Sequence, residues 1–243
     1  MKPILKLSGV GYSYHTAEKE TAALSGVDLT IKKGEFVALV GPSGCGKSTV
    51  LSLICGLLTP SSGIIELDGS VAYMLQHDQL FEWRTVRENC FLGLEIRHML
   101  TPEARVRVER MLDQYGLKDF KDAHPSALSG GMRQRAALIR TLALAPTLLL
   151  LDEPFSALDY TTRLTVGDEI SAIIRGEGKS VLLVTHDISE AISLCDRVVV
   201  FSGRPASVRC ELPIEIAERS PLKRRDDPHF GMYFNRIWKE LNA

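Results

Sequence analysis

The chain has 243 residues, of which 45% are hydrophobic, with 29 Lys plus Arg against 30 Asp plus Glu. That length and apolar share allow a full core in one folding unit with insertions, and a formal charge of -1 without a long basic stripe argues against nucleic acid as the main ligand. Its apolar runs fall far short of the roughly 18 residues that span a bilayer, so a membrane role is expected to go through a partner.

Short β-like runs over Ile4–Leu7, Val27–Ile31 and Phe36–Val40, separated by Gly-containing turns, predict strands entering a mixed sheet. Val50–Leu58 reads as a helix, broken by Thr59-Pro60-Ser61-Ser62-Gly63, and Ile64–Tyr73 as a hairpin-like segment. Between about residues 78 and 140 the pattern turns helical and predicts an inserted helical subdomain; one helix has Thr101 as N-cap and Pro102 at its first position, and stops near Gly116. Thr147–Leu151 and Ser180–Val184 are uninterrupted apolar runs, as expected of parallel strands covered on both faces. They end at Asp152-Glu153 and Thr185-His186-Asp187, the strand ends where ligands collect in open α/β sheets. From Pro228 onward, Phe230, Tyr233, Phe234, Ile237, Trp238 and Leu241 have the spacing of an amphipathic helix, expected to pack on its own domain. The five cysteines, Cys45, Cys55, Cys90, Cys195 and Cys210, form neither a CxxC pair nor a Cys/His cluster, which fits a reduced cytosolic protein. No long apolar run follows Met1-Lys2-Pro3-Ile4, so no export signal is expected.

Gly41-Pro42-Ser43-Gly44-Cys45-Gly46-Lys47-Ser48-Thr49 matches the P-loop pattern at every fixed position and lies between a predicted strand and a predicted helix. Glycines let consecutive backbone N–H groups turn inward as an anion nest, the helix N-terminus adds partial positive charge, and Lys47 reaches the β and γ phosphates of a nucleotide. Ser48 is then the hydroxyl ligand for Mg²⁺, Asp152 holds that ion through water, and Glu153 orients and polarises the attacking water. Cys45, beside Lys47 at a helix N-terminus, is expected to carry a lowered thiol pKa. Further on, Leu128-Ser129-Gly130-Gly131-Met132-Arg133-Gln134-Arg135 precedes a helix predicted from Met132 to about Leu144, a second anion site of the same kind.

With the P-loop, Gln76, Leu148–Glu153, Ser156-Ala157-Leu158-Asp159 and His186 in order and spacing, the LSGGxxQR segment resembles the signature of the ABC ATPase family from about Leu5 to Phe201. The resemblance implies an α/β fold: a P-loop NTPase core with a RecA-like mixed sheet, an N-terminal antiparallel β subdomain, the helical insertion at about 78–140 and a C-terminal tail over 203–243, all in one domain spanning 1–243. It implies ATP and Mg²⁺ as ligands, and a head-to-tail homodimer, or a heterodimer with a related subunit, in which Ser129, Gly130, Gly131 and Gln134 face the nucleotide held by the partner's P-loop. In that family Gln76 contacts Mg²⁺ and senses the γ-phosphate, His186 holds the attacking water, and Asp159 orders the interface. Tyr14, with Tyr12 as a rival, stacks on adenine.

The segment from His77 through Phe81-Glu82-Trp83-Arg84 to Asn89, with Phe155 and Arg204-Pro205, is similar to the nitrate/sulfonate/taurine importer branch, although that branch carries proline where Glu82 stands. Phe81, Trp83 and Arg84 are then candidate contacts for a transmembrane permease subunit, with packing inside the helical subdomain as the other reading. The resemblance implies a peripheral protein on the cytoplasmic face of the membrane, served indirectly by a solute-binding protein, with no extra regulatory barrel after the tail. A soluble ABC ATPase and an exporter motor share the same ATPase motifs.

Overall fold

The computed structural model describes residues 3–15 and 19–242, so Met1 and Lys2 lie outside it. Strands β1 (Pro3–His15) and β2 (Glu20–Lys32) pair antiparallel over 13 residues each, much longer than the runs legible in the sequence. Register shifts around Gly9 and Gly11 break the apolar alternation there, which hides the outer half of β1 from a pattern search. Next, β3 (Phe36–Val40) leaves this sheet for another, so the early strands do not all enter one sheet as expected.

Helix α1 (Lys47–Ile54) follows the P-loop. The hairpin expected over Ile64–Tyr73 does not form: β4 (Ser62–Leu67) joins the edge of β1 antiparallel, whereas β5 (Val71–Met74) joins the other sheet. Gly69, at φ 116°, turns the chain between the two sheets.

Helices α2 (Val86–Ile96), α3 (Pro102–Gln114) and α4 (Gly130–Leu142) then fill the span before β6 (Leu148–Asp152). Thr85 and Glu88 cap α2 reciprocally, and Thr101 caps α3 by accepting from the Ala104 N–H, as its sequence predicts. The remaining elements are α5 (Tyr160–Gly176), β7 (Ser180–Val184), α6 (Ile188–Leu194), β8 (Arg197–Phe201), β9 (Val208–Pro213), α7 (Pro221–Arg224) and α8 (Phe230–Asn242). The larger sheet runs β5-β6-β7-β3-β8-β9, parallel except for β9, with β2-β1-β4 as a separate antiparallel sheet.

Strand alternation divides the interior. Phe36, Ala38 and Val40 of β3, Leu149 and Leu151 of β6, and Val198 and Val200 of β8 face one core with the helices α2 to α6 and α8. Val37, Leu39, Leu148, Leu150 and Val199 face a second core with α1 and the antiparallel sheet. Each fully buried aliphatic side chain contributes about 1.5–3 kcal/mol, so a sheet covered on both sides is held firmly while its carboxyl ends stay open to solvent. Helix α8 packs as predicted, with Tyr233 and Ile237 buried and Phe230, Phe234 and Leu241 lying against the first core; Trp238 stays exposed. Among the described residues no helix is long and apolar enough to cross a membrane.

Candidate functional site

The carboxyl ends of β3, β6 and β7 bring distant segments together. A cavity of about 580 Å³ there is lined by Ser43, Gly44, Gly46, Lys47, Ser48, Thr49, Gln76, Glu153 and His186. Gly46, at φ 126°, has no room for a side chain: a Cβ would sit 2.9 Å from Leu24 Cδ2 and 3.1 Å from the Ala23 carbonyl oxygen of β2. The loop can therefore approach β2 only as glycine. No side chain caps α1, so its first N–H groups face the cavity. The Lys47 ammonium is buried and donates to the carbonyls of Gly41 at 2.8 Å and Pro42 at 3.0 Å.

Glu153 joins two other segments of the cavity wall. Its backbone, at φ 45°, is turned out of the strand while its N–H still donates to the Val184 carbonyl at 2.8 Å. Its Oε2 accepts from Gln76 Nε2 at 3.3 Å and lies 3.1 Å from His186 Nδ1. These three residues, predicted separately from sequence, form one cluster at the cavity wall.

Asp152 ends β6 one residue earlier and is buried, with Oδ2 accepting the Tyr73 hydroxyl at 2.8 Å. Burial raises the Tyr73 pKa, and the Asp152 hydrogen bond adds to the rise, so the phenol stays a donor. Sequence reasoning missed Tyr73. Its one signal is a polar-tipped aromatic on a strand that pairs with β6, and the pairing shows only in the fold.

Two expectations for the P-loop change. Cys45 is buried with only 2% of its surface exposed, and burial raises its thiol pKa more than the nearby Lys47 lowers it, so it is no activated nucleophile. Its N–H bonds the Pro42 carbonyl at 3.3 Å, and neither Gly41, Pro42 nor Cys45 lines the cavity. Tyr14, expected to stack on adenine, does not line the cavity; its hydroxyl lies 3.0 Å from Thr49 Oγ1, and the residue is 39% exposed with its ring edge-on to Tyr12. Tyr12 itself packs against the second core.

The signature segment lies elsewhere. Ser129 and Gly130 are exposed, and Ser129 caps α4 through the Met132 N–H at 3.4 Å. Gly131 is required by packing, since a Cβ would meet Val166 Cγ2 of α5 at 2.9 Å. Gln134 departs from the expected ligand-facing position: it is 2% exposed and points inward, its Oε1 without a partner. None of these four residues lines the P-loop cavity.

A pair of arginines ties the two regions together. Arg133 of α4 grips Asp78, two residues past Gln76, at 2.9 and 3.0 Å, and Arg140 donates to the carbonyls of Asp78 and Gln79 at 2.5 and 2.6 Å. Burial opposes ionisation of Asp78, but the Arg133 bond and the Leu80 N–H hold its carboxyl below the usual range. Beyond it, Asn89 is buried and fixes the loop 81–85 through the Phe81 N–H and the carbonyls of Phe81, Arg84 and Thr85. That loop holds Trp83 72% exposed and stacked on Phe81, whereas Arg84 is engaged by Glu95 at 2.7 Å. Asp159 caps α5 through the Thr162 N–H, and its bonds to Thr162 and Thr161 lower its pKa to about 2.

A Gly-rich anion nest opening a helix, with a carboxylate, an imidazole and an amide clustered across from it, defines a P-loop nucleotide-hydrolysing protein. Residues 24–156 match the family described as ABC transporter. The chain is 40% identical over 245 residues to the aliphatic sulfonates import ATP-binding protein SsuB of Corynebacterium glutamicum, covering 100% of this chain and 97% of that protein. It is 41% identical over 229 residues to the nitrate import ATP-binding protein NrtD of Synechocystis sp., covering 88% and 86%. The solved dimeric structure of the ATP-binding cassette MJ0796 in a post-hydrolysis state, bound to ADP and Pi, matches with a TM-score of 0.74 and 31% identity over 87% of this chain and 99% of that one. The chain belongs to the ABC transporter family and is one of its ATPases.

Proposed function

We propose that this chain is the ATP-hydrolysing subunit of an importer for a small solute, an anion such as nitrate, an alkanesulfonate or taurine. One observation carries the hydrolytic part: Glu153, with Gln76 and His186 on one of its carboxylate oxygens, faces the P-loop across a cavity wide enough for a triphosphate. There Glu153 polarises the attacking water and His186 holds it. Lys47, now on two loop carbonyls, exchanges them for β and γ phosphate oxygens, which bind an ammonium more strongly because they are charged. Tyr14 stacks on the adenine.

The donor set suits Mg²⁺, a hard cation that takes few protein oxygens and keeps waters. Ser48 and the Gln76 amide oxygen would hold it directly and Asp152, steadied by Tyr73, through water. Bound there it supplies charge neutralisation at the β and γ phosphates.

Ser129 and Gly130 lie outside the cavity with their N-terminal helix dipole facing solvent, which supports a head-to-tail dimer in which each signature closes the partner's P-loop site. The structural relative is dimeric. The exposed Trp83 on Phe81, in a loop pinned by Asn89, supports docking of a permease subunit from the cytoplasmic side of the membrane. Relatives named for aliphatic sulfonate and for nitrate import support the solute class. Purification from native membranes tests this reading: the chain is expected to co-isolate with a polytopic membrane protein, and isolation with ribosomes or DNA instead would overturn it.

A further inference from the structure

A second cavity, of about 620 Å³, lies at the opposite edge of the parallel sheet, where the strands begin rather than end. Its wall comes from three places: Gly34 and Phe36 at the start of β3, Asp168 to Arg175 of α5 with Gly178 and Lys179 after it, and Arg219 to Pro221 of the C-terminal segment. It shares no lining residue with the P-loop cavity.

The charges in this wall are unbalanced. Asp168, the one carboxylate among the described residues of the wall, already accepts from Ser220 Oγ at 2.7 Å and the Leu222 N–H at 3.3 Å. Arg175 lies over the Phe36 ring at 3.9 Å and donates through Nη2 to Leu194 and Asp196, but its Nε is buried without a partner. Ser171, 3% exposed, likewise leaves its hydroxyl unpartnered. Lys179 and Arg219 form no ion pair with a described residue. Two buried donors without a described partner share this wall with two cations that form no ion pair with a described residue. A volume within the range of small-molecule pockets, an apolar floor of Phe36, Ala172 and Pro221, and a cationic rim match a ligand with a short apolar body and an acidic head.

We propose that this cavity is a binding site for a small organic anion, an aliphatic carboxylate or sulfonate, distinct from the nucleotide site. The acidic head sits between Lys179 and Arg219. The ligand then ties the segment before α7 to the last turns of α5.

Titration calorimetry of the intact chain with sodium propionate and with sodium ethanesulfonate, at ionic strength matched with NaCl and with 1-propanol as the uncharged comparator, tests it. Saturable binding of at least one anion and none of propanol is expected; the two anions separate carboxylate from sulfonate preference. Affinity should fall about tenfold or more in Lys179→Glu/Arg219→Glu, with the melting temperature of the ligand-free variant and its ATP affinity near wild type. If the double variant melts early, the single changes Lys179→Gln and Arg219→Gln, both outside the core, provide the same comparison. No saturable binding of either anion, or equal affinity in wild type and charge-reversed chains, would overturn the proposal.

Discussion

Two helices of this chain begin on glycine-containing loops, and they end up in different surroundings. At α1 the loop opens into a cavity walled by Gln76, Glu153 and His186, and no side chain occupies the helix N-terminus. At α4, Ser129 caps the helix itself, the loop faces solvent, and none of Ser129, Gly130 and Gly131 lines the P-loop cavity. The local physics is the same at both: unpaired N–H groups and a partial positive charge. What differs is the company of Gln76, Glu153 and His186, and in the proposed head-to-tail dimer one anion site is built within the chain while the other is completed by a second copy. The Arg133–Asp78 pair and the Arg140 bonds fasten α4 to the loop that follows Gln76.

Removing the Glu153 carboxylate should break the contrast most severely. Glu153→Gln keeps the Gln76 and His186 neighbours but loses the charge that polarises water, so turnover is expected to fall by roughly 10²-fold or more while ATP binding and dimer formation persist. Steady-state turnover with filter binding checks both halves, and near-normal hydrolysis would remove Glu153 from its role.

Next in size is a stability effect behind His186. Glu190 is buried, and its pKa is raised to about 7 by that burial, despite the Thr185 hydroxyl donating to it at 2.6 Å. The folded chain therefore keeps a proton that the unfolded chain releases above about 4.5, and stability falls as pH rises through that window until the loss is complete above about 7. The loss is on the order of 3 kcal/mol, and Glu190→Gln, which can still accept from Thr185, should flatten this part of the profile in denaturant titrations from pH 5 to 8. An unchanged slope would contradict it.

A smaller change should come from Tyr73→Phe, which removes the donor holding the Asp152 carboxylate. Loss of one hydrogen bond to a charged group predicts about a tenfold fall in turnover with a melting temperature close to wild type. Unaltered turnover would show that Asp152 is positioned by its strand alone.

Much of this was readable before the fold. The P-loop has every fixed position, and Leu148–Asp152 and Ser180–Val184 form the strands their uninterrupted apolar runs predict. Glu153 and His186 were legible because both follow buried strands. Their meeting with Gln76 was not, because Gln76 and Glu153 lie 77 residues apart and only strand order decides that β5 pairs with β6. The separation of β4 from β5 was hidden for a related reason: a turn between two short runs looks alike whether the chain returns to its own sheet or crosses to another. Cys45 shows the limit most clearly, since sequence gives its neighbour Lys47 and its helix terminus, but the desolvation that outweighs both is a property of the packed chain. For Gln134 the sequence offers only its place in the motif, and its inward orientation follows from the face that α4 buries.

The central claim, that one chain holds two half-sites completed only by pairing, is tested most directly by ATP turnover per chain across a dilution series with mass determined at each point. Turnover should collapse as the dimer dissociates, and Ser129→Arg should abolish it at every concentration while leaving ATP bound to the monomer. Full turnover in a strictly monomeric sample, or undiminished activity with arginine at position 129, would contradict the account.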